Sequence, residues 1–169
     1  MLTIRFETPE DIHAIHQVNR LAFDRDNEAD LVDRLRRENA VTLSLVAVQD
    51  ERVVGHILFT PVAVHAGGSQ WDAVALGPMA VLPSHQKRGI GSALIRAGFD
   101  ELKRNGHFVV IVLGHAEYYP RLGFVPSKPL GIRWENDVPE EVFMVAELKE
   151  GALNGRTGVV RYHPAFNGV

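Results

Sequence analysis

In the first part of the chain, the apolar positions change from alternation, which is typical of a strand, to spacings of three and four, which are typical of a helix. Leu2 to Phe6 alternates apolar and polar residues, which predicts a half-buried strand. Residues 9–22 then have apolar positions three and four apart, and we expect Thr8 to cap this helix and Pro9 to occupy its first position. The predicted apolar face of the helix consists of Ile12, Ile15, Val18 and Ala22.

A second amphipathic helix and a three-strand meander follow. The apolar face of the helix is predicted to contain Leu31, Val32 and Leu35, with a solvated face of Asp33, Arg34, Arg36, Arg37 and Glu38. The three strands are predicted at residues 43–48, 53–64 and 71–81, joined by short polar turns. Gly77-Pro78 lies inside the third strand, and since proline cannot donate to a ladder, the strand must bulge or splay there.

The stretch from Leu76 to Gly106 predicts a strand, a basic loop and a long helix. The apolar run Met79–Leu82 stops at Pro83, and the helical pattern begins directly after Gln86–Gly91. Asn105-Gly106 is typical of a left-handed cap at the end of a helix. The predicted apolar face consists of Ile90, Ala93, Leu94, Ala97 and Leu102.

The last third of the chain adds further strands. Phe108–Leu113 is a nearly continuous apolar run, as in a strand that is buried on both faces. We expect a short helix over 114–119, a strand after Phe124 and another at 142–148, while the tail forms a final strand or lies along the surface. This order predicts an α+β fold around one mixed, mostly antiparallel sheet flanked by helices, with one domain over 1–150 and a C-terminal extension at 151–169 packed on or beside it.

Composition narrows the function classes. The chain has 169 residues, 46% of them hydrophobic, a net charge of −3 and no cysteine. We therefore expect a globular protein without disulfides, thiolate zinc sites or a cysteine nucleophile, and no nucleic-acid or membrane partner. No signal peptide or membrane span is visible in the sequence, which favours the cytoplasm, and a homodimer stays open.

The basic loop has the chemistry of a phosphate site. The first turn of a helix leaves backbone N–H groups without partners, and glycines let a pyrophosphate approach the backbone beside Lys87 and Arg88. The alternative is a plain turn with solvated basic residues. The loop is neither a Walker A loop nor a dinucleotide fingerprint, because the third glycine is missing and no βαβ unit is predicted around it.

Met79–Pro83 followed by Gln86-x-x-Gly89-x-Gly91 resembles the acyl-CoA loop of the GNAT superfamily of N-acetyltransferases. The resemblance covers about residues 2–150. It implies the GNAT fold, with a splayed strand pair in the central sheet, and acetyl-CoA as the co-substrate. The cofactor-binding residues that it implies are Met79, Ala80, Val81, Gln86, Lys87, Arg88, Gly89, Ile90, Gly91 and Ser92.

A second segment, Tyr118 to Phe124, resembles the [FY]-Y-x-x-x-G-F segment of the same enzymes. The resemblance assigns Tyr119 the position that faces the CoA sulfur, where its hydroxyl would donate to the departing thiolate. The alternative is that both tyrosines are core aromatics. The family also implies that a backbone N–H of Met79, Ala80 or Val81 binds the thioester carbonyl oxygen.

The general base is not assigned by the sequence. Its candidates by residue type are Glu28, Asp72, His115 and Glu117. His13 and His16 lie three apart on the first helix, but no further ligand is patterned nearby, so a solvated face is expected rather than a metal site.

The sequence thus predicts an acetyl-CoA-dependent N-acetyltransferase in which an amine attacks the thioester directly. The alternatives are a GNAT-fold module that binds CoA without turnover and an interaction protein whose loop binds another phosphate. The amine acceptor is open.

Overall fold

A computed structural model describes all residues from 1 to 169. None of its helices is long and apolar enough to cross a membrane. The elements are β1 Leu2–Phe6, α1 Ile12–Phe23, α2 Asn27–Arg37, β2 Leu43–Gln49, β3 Arg52–Ala66, β4 Ser69–Val81, α3 Ile90–Arg104, β5 Val109–Leu113, β6 Val125–Pro126, β7 Ile132–Trp134, β8 Phe143–Glu147 and β9 Gly158–Arg161.

The strands form a mixed, mostly antiparallel sheet, which confirms the predicted fold class. Its order is β1-β2-β3-β4-β5-β8-β6, and β9 pairs with both β3 and β7. The β4–β5 ladder is parallel over Val74–Leu76, with α3 as the connection between the two strands. The expectation that no βαβ unit surrounds the loop is therefore wrong: the sequence pattern did not show that the strands on either side of the helix pair in parallel.

The chain divides into two compact units, the first of which comprises Met1–Thr60, Gly77–Asp100 and Pro164–Val169. Its core cluster includes Ile15 of α1, three residues of α2 and Ala165 near the C-terminus. Ile12 is 37% exposed, so the predicted apolar face of α1 is wrong at this position. The inward positions of α1 are instead Ile15, Val18 and the polar Asn19.

Helix α3 packs against β3 at two glycines. A Cβ built on Gly55 would lie 3.2 Å from side-chain carbons of both Ile90 and Leu94, and a Cβ on Gly98 would lie 2.5 Å from the ring of Phe59. The missing side chains therefore allow helix and strand to approach closely. The helix ends as predicted, because Gly106 has φ +81° and the N–H groups of Gly106 and His107 bond back to the last turn.

A buried polar network joins α1 and α2 to β2, to β3 and to Glu7, the residue directly after β1. The Asn19 amide donates to Nδ1 of His56 at 3.2 Å, so the neutral imidazole carries its proton on Nε2 and donates to Ser44 Oγ at 2.9 Å. The Ser44 hydroxyl in turn donates to Glu7, which Arg36 binds with two nitrogens at 3.0 Å. Burial lowers the pKa of His56 to about 4, against the raising effect of Glu7.

Two of the five residues on the predicted solvated face of α2, Asp33 and Arg36, are partly buried and paired with other elements. Arg36 is 21% exposed and bonds to Asp33 as well as to Glu7, and Asp33 also bonds to His16 of α1 at 2.8 Å. The charges on this helix therefore connect it to Glu7, directly after β1, and to α1. The sequence pattern could not show this, because the partners lie up to 29 residues away.

The second unit comprises Pro61–Leu76 and Glu101–His163. Its core cluster is formed by residues of β3, β4, β5, β7, β8 and β9. The tail forms a strand, β9, which pairs with β3 and in parallel with β7. The division into a domain at 1–150 and an extension at 151–169 stays a prediction.

The segment after β5 is not the short helix that was predicted. Residues 116–118 form a turn and Tyr119–Leu122 a single 3₁₀ turn. Pro120 explains the difference, because it lacks the N–H that an α-helix would need there and its ring would clash with the carbonyl of Ala116. The strand predicted after Phe124 has only two residues, Val125–Pro126.

Candidate active site

The loop between β4 and α3 lies in the first unit and is fixed at its start. The N–H of Leu82 donates to the Val54 carbonyl of β3 at 2.9 Å. The Gln86 side chain reaches back to the Val81 carbonyl at 3.0 Å, which closes the loop on itself. This contact gives a structural reason for a glutamine at the first position of the motif.

The backbone of the loop turns through the left-handed region twice. Lys87 has φ +64° and Gly89 has φ +82°. Glycine has no steric penalty in this conformation, whereas lysine does, so Lys87 is held by the surrounding turn. The residues from Gln86 to Gly89 are exposed, and both basic side chains are therefore available to a ligand.

Helix α3 begins directly after this turn. Its first backbone bond runs from the Ala93 N–H to the Gly89 carbonyl at 3.0 Å, so the N–H groups of Ile90 and Gly91 have no partner within the helix. The side chain of Ile90 is buried and contacts β3 at Gly55, which fixes the first turn of the helix. A rigid helix N-terminus with two adjacent cations is the geometry that binds a pyrophosphate.

Strand β4 continues toward the loop beyond its pairing with β5. The parallel ladder covers Val74–Leu76 only, and β4 extends to Val81. The ladder thus ends where Gly77-Pro78 predicts a bulge or splay. Of the three residues whose N–H is a candidate for the carbonyl oxygen, Ala80 is buried and Met79 and Val81 are half-buried.

Tyr119 lies in the second unit, at the C-terminal end of β5. Its ring packs on Gly114, where a built Cβ would lie 2.5 Å from Cε2. The rings of Tyr118 and Phe124 meet it edge to face, with centroids 5.2 and 5.5 Å away. Gly114 in turn donates its N–H to the Val142 carbonyl at 2.9 Å. The tyrosine is therefore fixed from three sides.

Burial raises the pKa of Tyr119 to about 12, with a smaller contribution from Tyr118, and the residue is 8% exposed. The hydroxyl is thus protonated at neutral pH and able to donate a hydrogen bond. A reference thiol has a pKa of about 8.5, so full proton transfer from Tyr119 to a thiolate would be uphill by about 5 kcal/mol. The raised pKa of Tyr119 therefore favours a hydrogen-bond donor over a proton donor.

The four candidate bases lie in different surroundings. Glu28 is 8% exposed and paired with Arg25, Nε to Oε1 at 2.8 Å. Asp72 lines a cavity of about 340 Å³ with His107 and Val109, at the start of β5. At about 3.3 Å per residue, Val109 is roughly 16 Å from Gly114, so Asp72 is distant from Tyr119.

His115 and Glu117 are exposed in the segment that leads to Tyr119. The Tyr119 N–H bonds to the His115 carbonyl at 3.3 Å, which places the His115 backbone beside the tyrosine.

The two histidines of α1 do not form a pair. His16 bonds to Asp33, and its ring lies within 4.8 Å of ligand atoms of both Asp30 and Asp33, whereas His13 is exposed and outside this group. The Arg36 guanidinium also bonds to Asp33, at 3.2 Å, and this positive charge disfavours a cation at the same carboxylate.

Three glycines shape these surroundings, and sequence reasoning missed two of them, Gly98 and Gly114. Gly55, Gly98 and Gly114 contribute close approach rather than a functional group. An isolated glycine inside a strand pattern often marks a site where another element approaches the backbone closely, and Gly55 is such a glycine. Nothing in the local sequence indicates that Gly114 supports Tyr119.

Comparisons with known proteins identify the family of this chain. Residues 3–127 match the family model described as an acetyltransferase (GNAT) domain. The chain is 38% identical over 169 residues to the uncharacterized N-acetyltransferase YhbS of Escherichia coli K12, covering 98% of this chain and 99% of the relative. It is also 40% identical over 142 residues to the uncharacterized N-acetyltransferase YjhQ of the same organism, covering 82% of this chain and 78% of the relative.

Two solved structures share the fold and more than a third of the sequence. The crystal structure of E. coli YhbS in complex with CoA has a TM-score of 0.93 and 37% identity, covering 98% of this chain and 92% of that chain. A GNAT family acetyltransferase from Brucella melitensis in complex with acetyl-CoA has a TM-score of 0.82 and 36% identity, covering 99% of each chain. The family match and the full-length relatives show that this chain belongs to the GNAT family of N-acetyltransferases.

Proposed function

We propose that this GNAT N-acetyltransferase moves an acetyl group from acetyl-CoA to a primary amine by direct attack. The amine nitrogen bonds to the thioester carbonyl carbon, the carbon–sulfur bond breaks, and the products are an acetamide and CoA. No residue is needed as a covalent nucleophile, in agreement with the absence of cysteine. Relatives crystallised with CoA and with acetyl-CoA support acetyl-CoA as the donor.

The Gln86–Ser92 loop is proposed to bind the pyrophosphate of CoA. The observation that supports this most is the combination of the left-handed turn at Gly89 with the unpaired N–H groups of Ile90 and Gly91. Lys87 and Arg88 add positive charge at the exposed side of the same turn. Ligand phosphates would replace water at these donors without rearrangement of the loop.

The end of β4 is proposed to hold the acetyl group. A backbone N–H of Met79, Ala80 or Val81 would donate to the thioester oxygen as negative charge develops on it. The end of the β4–β5 ladder at Leu76 supports this, because the strand continues past that point without its parallel neighbour.

Tyr119 is proposed to donate a hydrogen bond to the sulfur as the thiolate forms. Its raised pKa keeps the phenol protonated through the reaction, and its packing on Gly114 fixes the direction of the hydroxyl. The proton that CoA finally carries would then come from water or from the amine. A fixed hydrogen-bond donor that interacts more strongly with the developing thiolate than with the thioester sulfur lowers the barrier without tightening ground-state binding.

The attacking amine must lose a proton, since a lysine-like group has a pKa near 10. His115 and Glu117 are proposed as the alternatives for its acceptor, directly or through water, because both lie in the turn beside Tyr119. Separate His115→Gln and Glu117→Gln variants, each with a pH profile of kcat/KM, would distinguish them.

The test of this function is thiol release from acetyl-CoA with a panel of amines, with mass spectrometry of the products. Turnover of any amine supports the proposal. Binding of CoA without turnover of any amine would favour the alternative, a regulatory module that holds CoA. A cytoplasmic location and a homodimer are further proposals from the sequence, and sedimentation analysis measures the latter.

A further inference from the structure

Part of the edge of β4 is left uncovered by β5. Strand β4 begins at Ser69, whereas its parallel ladder with β5 begins only at Val74. A cavity of about 340 Å³ lies at this part of the strand, within the second unit. It is lined by residues 72–74 of β4, by residues 106–109 at the start of β5, and by Ala152 and Arg156. We refer to this space as the edge cavity.

Three polar side chains of the edge cavity have no partner in the protein. Asp72, His107 and Arg156 line the cavity, and none of these side chains makes a hydrogen bond or an ion pair. Asp72 and Arg156 have opposite charges, yet they do not contact each other across the cavity. Both charges are therefore available to a ligand that lies between them.

These polar groups can be reached from solvent. Asp72 and Arg156 are exposed and His107 is half-buried, whereas the strand residues Val74 and Val109 are buried. The edge cavity thus combines a polar rim with an apolar floor. A few convergent polar groups around an apolar surface are typical of a small-molecule site.

Trp71 fixes the position of Arg156. The guanidinium lies over the indole ring, with Cζ 5.2 Å from the ring centroid, and the indole Nε1 donates to the carbonyl of the next residue, Thr157, at 3.0 Å. The Glu147 carboxylate accepts hydrogen bonds from two backbone N–H groups of the same loop, at 3.2 and 2.9 Å. Stacking occupies a face of the guanidinium and leaves its in-plane N–H groups for a carboxylate. A cation that is already held in place loses little freedom when it binds a ligand.

The charges of the edge cavity select a class of ligand. A simple anion would be attracted by Arg156 but repelled by Asp72, and a simple cation would meet the opposite problem. A zwitterion satisfies both groups at once. Gly106, just beyond the C-terminal end of α3, also lines the cavity, and the partial negative charge of that helix end favours an ammonium group.

The volume and the location narrow the ligand further. A cavity of 340 Å³ is near the lower end of the range for ligand pockets, about 300–1,000 Å³, which suits a single amino acid better than a nucleotide. Val109 is roughly 16 Å from Gly114 along β5, at about 3.3 Å per residue. The edge cavity is therefore separate from the surroundings of Tyr119.

We propose that the edge cavity binds a zwitterionic α-amino acid with an apolar side chain. The Arg156 guanidinium binds the α-carboxylate, and the Asp72 carboxylate accepts hydrogen bonds from the α-ammonium group. The His107 imidazole has a donor and an acceptor nitrogen and can complete either end. The apolar side chain of the ligand contacts Val74 and Val109. This site does not depend on whether the protein transfers an acetyl group.

The test is calorimetry of the full chain with L-leucine and two analogues. Isocaproate lacks the ammonium group of leucine, and isoamylamine lacks its carboxylate. We expect L-leucine to bind, and each analogue to bind about 10-fold more weakly or less, because each loses one charge-assisted contact and meets an uncompensated like charge. Equal affinity for L-leucine and either analogue would overturn the inference, as would the absence of binding heat for L-leucine at about 10 mM.

Charge-removing variants locate the bound amino acid. Asp72→Asn and Arg156→Gln should each lower the affinity for L-leucine by about 5- to 10-fold, since the lost contacts are partly screened by water. Asp50→Asn and Arg52→Gln are the matched controls, because they remove the same charges from exposed positions outside the cavity, and they should bind L-leucine as the wild type does. Wild-type affinity in either cavity variant would contradict the proposal.

Arg156→Lys separates carboxylate binding from a structural role of the stack on Trp71. Lysine keeps the positive charge, so this variant should retain more affinity for L-leucine than Arg156→Gln does. An equal loss in both variants would assign the effect to the stack and overturn the proposed contact. Thermal unfolding without ligand shows that each variant is folded before the titration. Thiol release with the amine panel decides separately whether the protein acetylates any amine.

Discussion

The ring of Tyr119 lies directly on Gly114, so close that a Cβ at Gly114 would be 2.5 Å from Cε2 and 3.2 Å from Cδ2. No side chain other than hydrogen fits between the end of β5 and this ring. The position of the tyrosine is thus set by a residue five places earlier in the chain, which itself bonds to the Val142 carbonyl. The relationship makes the orientation of Tyr119 sensitive to a single methyl group.

Gly114→Ala is expected to displace the Tyr119 ring and to lower kcat by about 10-fold or more, because a misplacement of about 1 Å at a reacting group can cost 10²-fold. Affinity for CoA should change little, since neither Gly114 nor Tyr119 belongs to the Gln86–Ser92 loop that is proposed to bind the pyrophosphate. Gly68→Ala is the control, as a Cβ there meets nothing within 4 Å. Steady-state kinetics and CoA calorimetry on both variants test this, and wild-type kcat in Gly114→Ala would disprove it.

Gly98→Ala is expected to destabilise the protein. The added methyl would lie 2.5 Å from the Phe59 ring, and overpacking of this kind typically costs about 1–3 kcal/mol. Urea unfolding measures the loss. The Phe59→Leu substitution shortens the opposite side chain, so adding Gly98→Ala to Phe59→Leu should cost less stability than adding it to the wild type. If the two losses simply add, the close contact between α3 and β3 is not the cause.

The buried imidazole of His56 makes stability depend on pH. Its pKa is about 4 in the folded protein and about 6.5 when unfolded, so between these values the unfolded state binds the additional proton. The free energy of unfolding should therefore fall as the pH drops from about 6.5 toward 4, by up to about 3 kcal/mol from this group.

His56→Gln should flatten this pH dependence between 6.5 and 5, whatever its effect on stability at pH 7.5. The exposed His13 provides the control, and His13→Gln should keep the wild-type slope. Urea unfolding at four pH values measures all three slopes. A wild-type slope in His56→Gln would assign the pH dependence to other groups, such as Glu7, whose pKa is lowered by Arg36 and Ser44 although burial opposes the shift.

Gly91→Val is expected to weaken CoA binding without unfolding the protein. A branched side chain in the first turn of α3 would obstruct the approach of the pyrophosphate to the unpaired N–H groups. Circular dichroism and a CoA titration are measured together, with the thermal shift by CoA as a second readout. Unchanged affinity in a folded variant would place the pyrophosphate elsewhere.

Periodicity predicted the elements of this fold well where a segment has one buried face. Strands β1 to β5, both amphipathic helices and the end of α3 at Gly106 were all recognised from apolar spacing and cap residues, and the predicted family and fold class are confirmed. The prediction was wrong where one residue overrides a pattern. Pro120 changes an expected helix into a 3₁₀ turn, and Asn19 occupies an inward position of α1 because His56 is its partner.

The candidate site was predictable only in part, for a physical reason. The loop from Gln86 to Gly91 is recognisable because the phosphate binding proposed for it depends on backbone conformation, which leaves a local signature of glycines. The support of Tyr119 by Gly114 is a tertiary relationship, and no local spacing encodes it. The assignment of individual site residues stays a prediction until variants are measured.

The central claim is that Tyr119 stabilises the departing thiolate, and Tyr119→Phe tests it most directly. The substitution keeps the ring on Gly114 and removes only the hydroxyl, so kcat and kcat/KM should fall together while CoA affinity by calorimetry stays near wild type. The expected loss is about 10²-fold, the low end for acid assistance, because the raised pKa limits Tyr119 to hydrogen bonding. Tyr118→Phe, the adjacent control, should lose far less. Equal turnover of wild type and Tyr119→Phe would contradict the account and make Tyr119 a core residue.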